Sequence, residues 1–245
     1  MRYTDEKEKS AFQLASILQS KLAKDSRILD IGAGNGEYLE LALSKIKCLD
    51  GVQLTLVEPS NDLVKQLKAR FKKLVAANNI KIIQSNLENL ANDEKFDVIL
   101  MSHLFYHVPR VLWTEQLAKA LSALKPAGVL IIALREKDDA YDFKMAFKPL
   151  LLFNKSFKAL TIDDVLAVLP KSETIKIAKY SVPSELKIPS EQNMDDAITI
   201  IEFYLNTQWE DIPKPIQREA LEFIKKRRGV LKQLDCIAII EKAQS

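Results

Sequence analysis

Cysteine, histidine and tryptophan are scarce: the 245 residues carry two of each. Cys48 and Cys236 are too few for a disulfide framework and have no metal-ligand spacing, which points to a reducing compartment, the cytoplasm. His103 and His107, the only histidines, could chelate a metal if their i, i+4 spacing lay on a helix. No third cysteine, histidine or acid stands nearby in sequence to complete a ligand set, so no metal is expected. No apolar run approaches the ~20 residues of a membrane span, and the start, Met1 to Lys9, is too charged for a signal peptide. An excess of one charge is missing too. The 36 basic and 33 acidic side chains leave a net +3, which creates no global field for nucleic acid or acidic lipid. Repeats and low-complexity tracts are absent, and 245 residues at 47% hydrophobic suffice for one sizeable core, so residues 1–245 read as one domain.

Glycine is rare as well, yet Gly32, Gly34 and Gly36 fall together after the β-rich run Arg27 to Ile31. Glycines so spaced let the backbone pass close beneath a ligand and open a helix whose free amides face it. A dinucleotide fingerprint counted from Gly32 needs its third glycine where this chain has Glu37, and a carboxylate there repels a pyrophosphate. Asp30 before the turn and Glu37 after it suit a cationic ligand with a polar tail, a description that S-adenosylmethionine fits. The next strand, Val52 to Glu58, ends in a carboxylate able to accept from both ribose hydroxyls. Pro59 closes it, and Ser60 or Asn61 caps a helix with the apolar face Leu63, Leu67, Phe71 and Leu74.

Further strands are expected at Ile80 to Gln84, Phe96 to Met101 and Val129 to Leu134, alternating with helical stretches as in an α/β, doubly wound parallel sheet. Ahead of the first strand, Phe12, Leu14, Ile17, Leu18 and Leu22 form a helical stripe, and the charged residues before it either cover the pocket or are loose, the looser reading being favoured. Tyr141 to Phe153 has helical spacing. Thr161 with Asp164 makes a capping box for a helix through Leu169, a sixth strand runs from Thr174 to Val182, and a seventh from Leu234 to Glu241.

Asp30-x-Gly32-x-Gly34-x-Gly36, Glu58, Asn86-Leu87, Phe96-Asp97, His107-Val108-Pro109 and Leu124-Lys125-Pro126-x-Gly128 resemble, in this order, the class I methyltransferases. The resemblance implies a Rossmann-like sheet of seven strands whose last two pair antiparallel, with S-adenosylmethionine as methyl donor and S-adenosylhomocysteine as product. It implies cofactor contacts at Asp30, Gly32, Gly34, Gly36, Glu58, Pro59 and Ser102, with Asn86 and Leu87 along the adenine. Many members have Asp in place of Asn86, and an amide still pairs with the adenine edge. Val57 to Ser60, Met101 to Val108, Thr161 to Asp164 and Val230 to Glu241 are similar to the histamine N-methyltransferase branch. That branch carries an amide residue at the place of His103, and its C-terminal substrate-binding amide falls near Gln233.

If the last two strands pair, residues 187–232 are an insertion. Two amphipathic helices, 193–206 and 215–228, are split there by Trp209, Pro213 and Pro215. At the carboxyl ends of the strands such an insertion forms a lid over the cofactor crevice. His103 either takes the acceptor's proton or merely lines the pocket. Tyr106 and Trp209 are candidates for an aromatic wall around a sulfonium and an amine, against the alternative of ordinary core. Gln233 and Asp235 flank the start of the seventh strand, where Asp235 either attracts a protonated amine or caps an end, and His107 is read as packing. The run Lys225 to Arg228 reads as cations at a helix C-terminus rather than an RNA patch. The expectation is a monomeric enzyme that methylates a small-molecule amine nitrogen. Its competitors are an O- or RNA methyltransferase and a non-catalytic binding protein of the same fold.

Overall fold

The computed structural model describes residues 4–72, 79–85, 94–137, 143–147, 160–170, 175–188, 194–205 and 207–242. Seven strands form one sheet in the order β3-β2-β1-β4-β5-β7-β6. β1 (Arg27–Ile31), β2 (Gln53–Val57), β3 (Ile80–Ile83), β4 (Phe96–Ser102) and β5 (Leu124–Arg135) are parallel, whereas β7 (Val230–Lys242) runs antiparallel to both its neighbours, β5 and β6 (Ile175–Lys187). The central strands are apolar at nearly every position because both faces are covered. The period of two sorts those residues between layers. Val129, Ile131 and Ala133 of β5 join a cluster under α1 (Glu6–Lys21), α2 (Glu37–Leu43) and α3 (Asn61–Arg70). Leu130, Ile132 and Leu134 join the opposite cluster under α4 (Trp113–Ser122) and α6 (Ile162–Leu166).

A third cluster lies at the carboxyl edge. It packs Leu186 and Leu231, from the ends of the β6–β7 arms, against Phe143 and Phe147 and two helices, α7 (Met194–Leu205) and α8 (Lys214–Lys226). Phe143 opens the short α5 (Phe143–Ala146), and the rest of the helix expected over 141–153 lies outside the described residues, as does Leu74. The inserted helices fall where the sequence puts them. The strands beside them run longer: β6 reaches Lys187 and β7 begins at Val230, because Val182, Ser184 and Leu186 alternate inward beyond the point where Pro183 suggests a stop. Proline is tolerated there because β6 is an edge strand.

Other expectations were met or shifted. Thr161 and Asp164 form the capping box, with the Thr161 amide donating to Asp164 Oδ2 at 3.1 Å. Ser60 caps α3 by accepting from the Leu63 amide. In α1 the buried stripe is Ala11, Leu14, Ala15, Ile17 and Leu18, while Phe12 is 65% exposed, one position off the buried face. The segment before α1 is tied rather than loose. The Asp5 amide donates to the Glu185 carbonyl at 3.3 Å, the Glu185 amide donates back to Asp5 Oδ1 at 2.8 Å, and Lys7 pairs with Glu37. At the end of α8, Lys225 and Lys226 occupy the last turn and Arg227 lies 3.5 Å above the Phe223 ring, an arrangement in which the cations serve the helix end.

Gly36 is where α2 begins, at φ +78°, and a Cβ there would stand 2.5 Å from Phe71 and 2.7 Å from Leu67. Gly36→Ala should therefore cost about 2–4 kcal/mol of stability, combining left-handed strain with overpacking. A urea midpoint unchanged from wild type would contradict this.

Candidate active site

The turn between β1 and α2 is clamped to the end of β2. The amides of Gly32 and Ala33 both donate to the Val57 carbonyl, at 2.8 and 3.0 Å. Gly34 donates to Glu58 Oε2 at 3.0 Å, and the Ser60 amide to Glu58 Oε1 at 2.9 Å. Glu58 is buried, yet each of its oxygens keeps lone pairs beyond those bonds. Gly34, at φ +58°, has nothing within 4 Å of where a Cβ would be, so its backbone faces open space, as a ligand cradle requires.

Asp30 stands behind the turn, buried, with Oδ1 lacking any hydrogen-bond partner. Burial and the neighbouring Glu58 push its carboxyl up to about 7. Two buried carboxyls, one with an orphaned oxygen, beside an open glycine backbone fit a ligand that brings positive charge and hydroxyl donors. A crevice of about 240 Å³ adjoins them, lined by Gly32, Val57, Pro59, Ser85, Leu104 and Val108, and it suits a flat apolar ring. Asn86 and Leu87 lie outside the described residues, next to Ser85. Ser102 ends β4, half-buried. His107, expected to pack, is exposed at the rim of this crevice.

On the other side of the turn lies a polar, aromatic recess. His103 adopts the left-handed conformation, φ +50°, directly after β4, held by its amide's bond to the Ala133 carbonyl at 2.8 Å. A single 3-10 turn, Leu104–Tyr106, follows, so His103 and His107 flank it and do not share an α-helical face. The imidazole stacks on Tyr106, with centroids 6.0 Å apart, and meets Tyr38 edge-on at 6.4 Å. Burial holds it below the usual histidine range, opposed in part by Glu6 and assisted by Lys7 and Arg135, so the ring is neutral at pH 7 and can accept a proton. Burial likewise raises the phenol of Tyr38, whereas Tyr106 is 42% exposed at the edge of the group.

Asp235 is buried on β7, and burial followed by Glu6 pushes its carboxyl up to about 8. Gln233 donates to the Tyr204 hydroxyl and accepts from Thr4 Oγ1. Thus His103, Tyr106 and Asp235 come together. Trp209 is set elsewhere, in a short turn packed against the third cluster, its amide donating to Glu202 Oε1 at 2.8 Å. Three residues at the recess had been passed over. Glu6 is one acid in a charged run whose pocket-covering alternative singles out no residue, and Arg135 falls one residue beyond the expected end of the fifth strand, Leu134. Tyr38, an aromatic directly after the glycine turn, was the one with a usable signal.

A sheet of this order, with a glycine turn clamped between its first two strands and an acid ending the second, defines a Rossmann-like S-adenosylmethionine-dependent methyltransferase. Residues 5–164 match the methyltransferase domain family, and the chain belongs to it. Its methyl donor is S-adenosylmethionine. Among curated relatives, the malonyl-[acyl-carrier protein] O-methyltransferase of Halalkalibacterium halodurans is 28% identical, covering 71% of this chain and 69% of that one. The ubiquinone/menaquinone biosynthesis C-methyltransferase of Rickettsia massiliae is 29% identical over 44% of this chain and 43% of that protein. In structure, the chain is similar to a candidate sarcosine dimethylglycine methyltransferase from Galdieria sulphuraria, with a TM-score of 0.58, 20% identity, and coverage of 95% and 85%. These proteins are named for different acceptors, so the family does not bring the acceptor with it.

Because the Asp30 carboxyl is raised above its unfolded value, the folded state holds more protons between about pH 4 and 7, and stability falls as pH rises through that window. Asp30→Asn should flatten the loss between pH 5 and 8 by roughly 2 kcal/mol. Urea unfolding at both pH values reads this directly, and an unaltered slope would refute the assignment.

Proposed function

We propose that the protein transfers the methyl group of S-adenosylmethionine to the nitrogen of a small-molecule amine. The observation carrying this reading is a neutral imidazole, His103, in an aromatic recess beside the buried acid Asp235, across the glycine turn from the crevice. The similarity to the histamine N-methyltransferase branch supports nitrogen. An oxygen acceptor is the second reading, favoured by the likeness to the malonyl-[acyl-carrier protein] O-methyltransferase.

In this reading the donor is held by Asp30, Gly32, Gly34, Gly36, Glu58, Pro59, Asn86, Leu87 and Ser102. Glu58 accepts from the ribose hydroxyls, Asp30 faces the cationic methionine end, and Asn86 and Leu87 lie along the adenine. When bound, the donor supplies a methyl group on a sulfonium already activated for in-line displacement. The chain's task is alignment and exclusion of water. His103 takes the proton from the acceptor nitrogen, and Tyr106 walls the recess with a face suited to a cation. Asp235 draws the amine in. Gln233, fixed to Tyr204, sets the position of α7. Residues 187–232 act as the lid within a single domain, 1–245, with Trp209 packed inside it. The chain works as a monomer in the cytoplasm, where Cys48 and Cys236 stay unpaired. No helix among the described residues is long and apolar enough to cross a membrane. With the basic run committed to the end of α8, the acceptor is a small molecule rather than a nucleic acid.

Glu58→Ala should weaken S-adenosylmethionine and S-adenosylhomocysteine binding by about tenfold or more, since a charge-assisted acceptor is lost. Calorimetry on the wild type and the variant tests this, and equal affinities would remove the ribose role. Formation of S-adenosylhomocysteine with primary or secondary amines, followed by mass spectrometry, tests the acceptor. Turnover confined to phenols or alcohols would replace nitrogen with oxygen.

A further inference from the structure

Glu6 enters the recess from the first turn of α1. Its carboxylate, a His103 ring nitrogen and an Asp235 oxygen all lie within 4.8 Å of one another, although they come from three separate elements. Asp235 is 95% buried by its 5% exposure, and its Oδ2 has no hydrogen-bond partner, an arrangement that is costly unless something else occupies the gap. Glu6 is held in place from both sides. Before it, Thr4 bonds to Gln233 and Asp5 exchanges hydrogen bonds with Glu185; after it, Lys7 pairs with Glu37 at 2.5 Å.

We propose that Glu6 and Asp235 form the acceptor's recognition pair, binding the acceptor as its ammonium ion. This rests on the methyl-transfer reading above. The charged and titratable groups around Asp235 and His103 are Glu6 and Arg135, with Lys7 acting on His103, and the phenols of Tyr38 and Tyr106 beside them. Lys7 is engaged by Glu37, the imidazole is neutral, and the Arg135 guanidinium, 5.8 Å from the Tyr204 ring centroid, is one cation facing two carboxyls, opposing the rise at Asp235 without cancelling it. Acid is therefore in excess where the acceptor must sit. An ammonium satisfies the orphaned oxygen and both carboxylates. A carboxylate is repelled, and an alcohol of the same shape leaves Asp235 holding its proton.

The chemistry balances. On docking, the ammonium displaces the proton held by Asp235 to solvent. Before transfer it releases one proton, passed through the His103 imidazole to solvent, and the freed nitrogen lone pair forms the new bond to the methyl carbon. The carbon–sulfur bond breaks with its electron pair left on sulfur, so the positive charge passes from sulfur to the methylated nitrogen.

The test uses the full chain loaded with S-adenosylhomocysteine, titrated calorimetrically at neutral pH with 2-phenylethylamine and n-butylamine and with the matching alcohols. Two buffers of different ionisation enthalpy report proton release. At least one amine should bind about tenfold or more tightly than its alcohol, with proton release. Glu6→Gln and Asp235→Asn should each weaken the amine about tenfold while leaving S-adenosylhomocysteine affinity little changed, and Glu6→Asp should restore part of the loss. The proposal is overturned if amine and alcohol bind alike, if none of these probes binds while S-adenosylhomocysteine does, or if Glu6→Gln leaves amine affinity intact. Micromolar Zn²⁺ binding by chelator-treated protein, lost in both variants without effect on amines, would assign the cluster to a metal instead. A folded wild type that fails to bind S-adenosylhomocysteine would sink the methyl-transfer reading itself.

Discussion

Two backbone hydrogen bonds, from Gly32 and Ala33 to the Val57 carbonyl, tie the ends of β1 and β2 together and fix the glycine turn independently of any ligand. Everything at the site is set by that junction. It aims the Gly34 amide at Glu58, places Asp30 behind the turn, and starts α2 so that Tyr38 reaches His103. Glycine is required at Gly36 because Phe71 and Leu67 crowd it and the backbone is left-handed, and at Gly34 because the space above must stay open. The same short segment thus serves packing at one residue and binding at another.

The electrostatics follow from placing acids where water cannot reach them. Asp30 beside Glu58 on one side of the turn, and Asp235 beside Glu6 on the other, are carboxyls whose ionisation burial and the like-charged neighbour both disfavour. A donor and an acceptor that both bring positive charge relieve both pairs. A neutral imidazole between two aromatic rings completes the recess without adding a competing cation.

Much of the fold was legible in the sequence because its signals are local. Apolar runs with glycine and proline punctuation located the strands, the Thr161 and Asp164 pair announced its helix, and the glycine turn with Glu58 located the first half of the site. The rest depends on contacts between distant segments. The inward alternation of Val182, Ser184 and Leu186 gains meaning only once β7 pairs with them. Phe12 looked like a core residue because apolarity alone does not reveal which face of α1 meets the sheet. Glu6 was invisible for a similar reason: its role is created by Asp235 and His103, and nothing in its immediate neighbours distinguishes it from the acids around it.

β7 lies between β5 and β6 in space but follows both in sequence. During synthesis, β1 to β5 can pair as soon as they emerge, whereas β6 has no partner strand until β7 arrives, only the Thr4–Asp5 segment beside Leu186 and Glu185. For that interval Ile175–Lys187 and the two helices after it are a dangling arm with an unpaired edge, open to self-association. Thr4 waits as well, since its partners are Leu186 and Gln233. The donor half of the enzyme is thus free to assemble early, and the acceptor recess closes in a late step that joins the first described residues to the last strand.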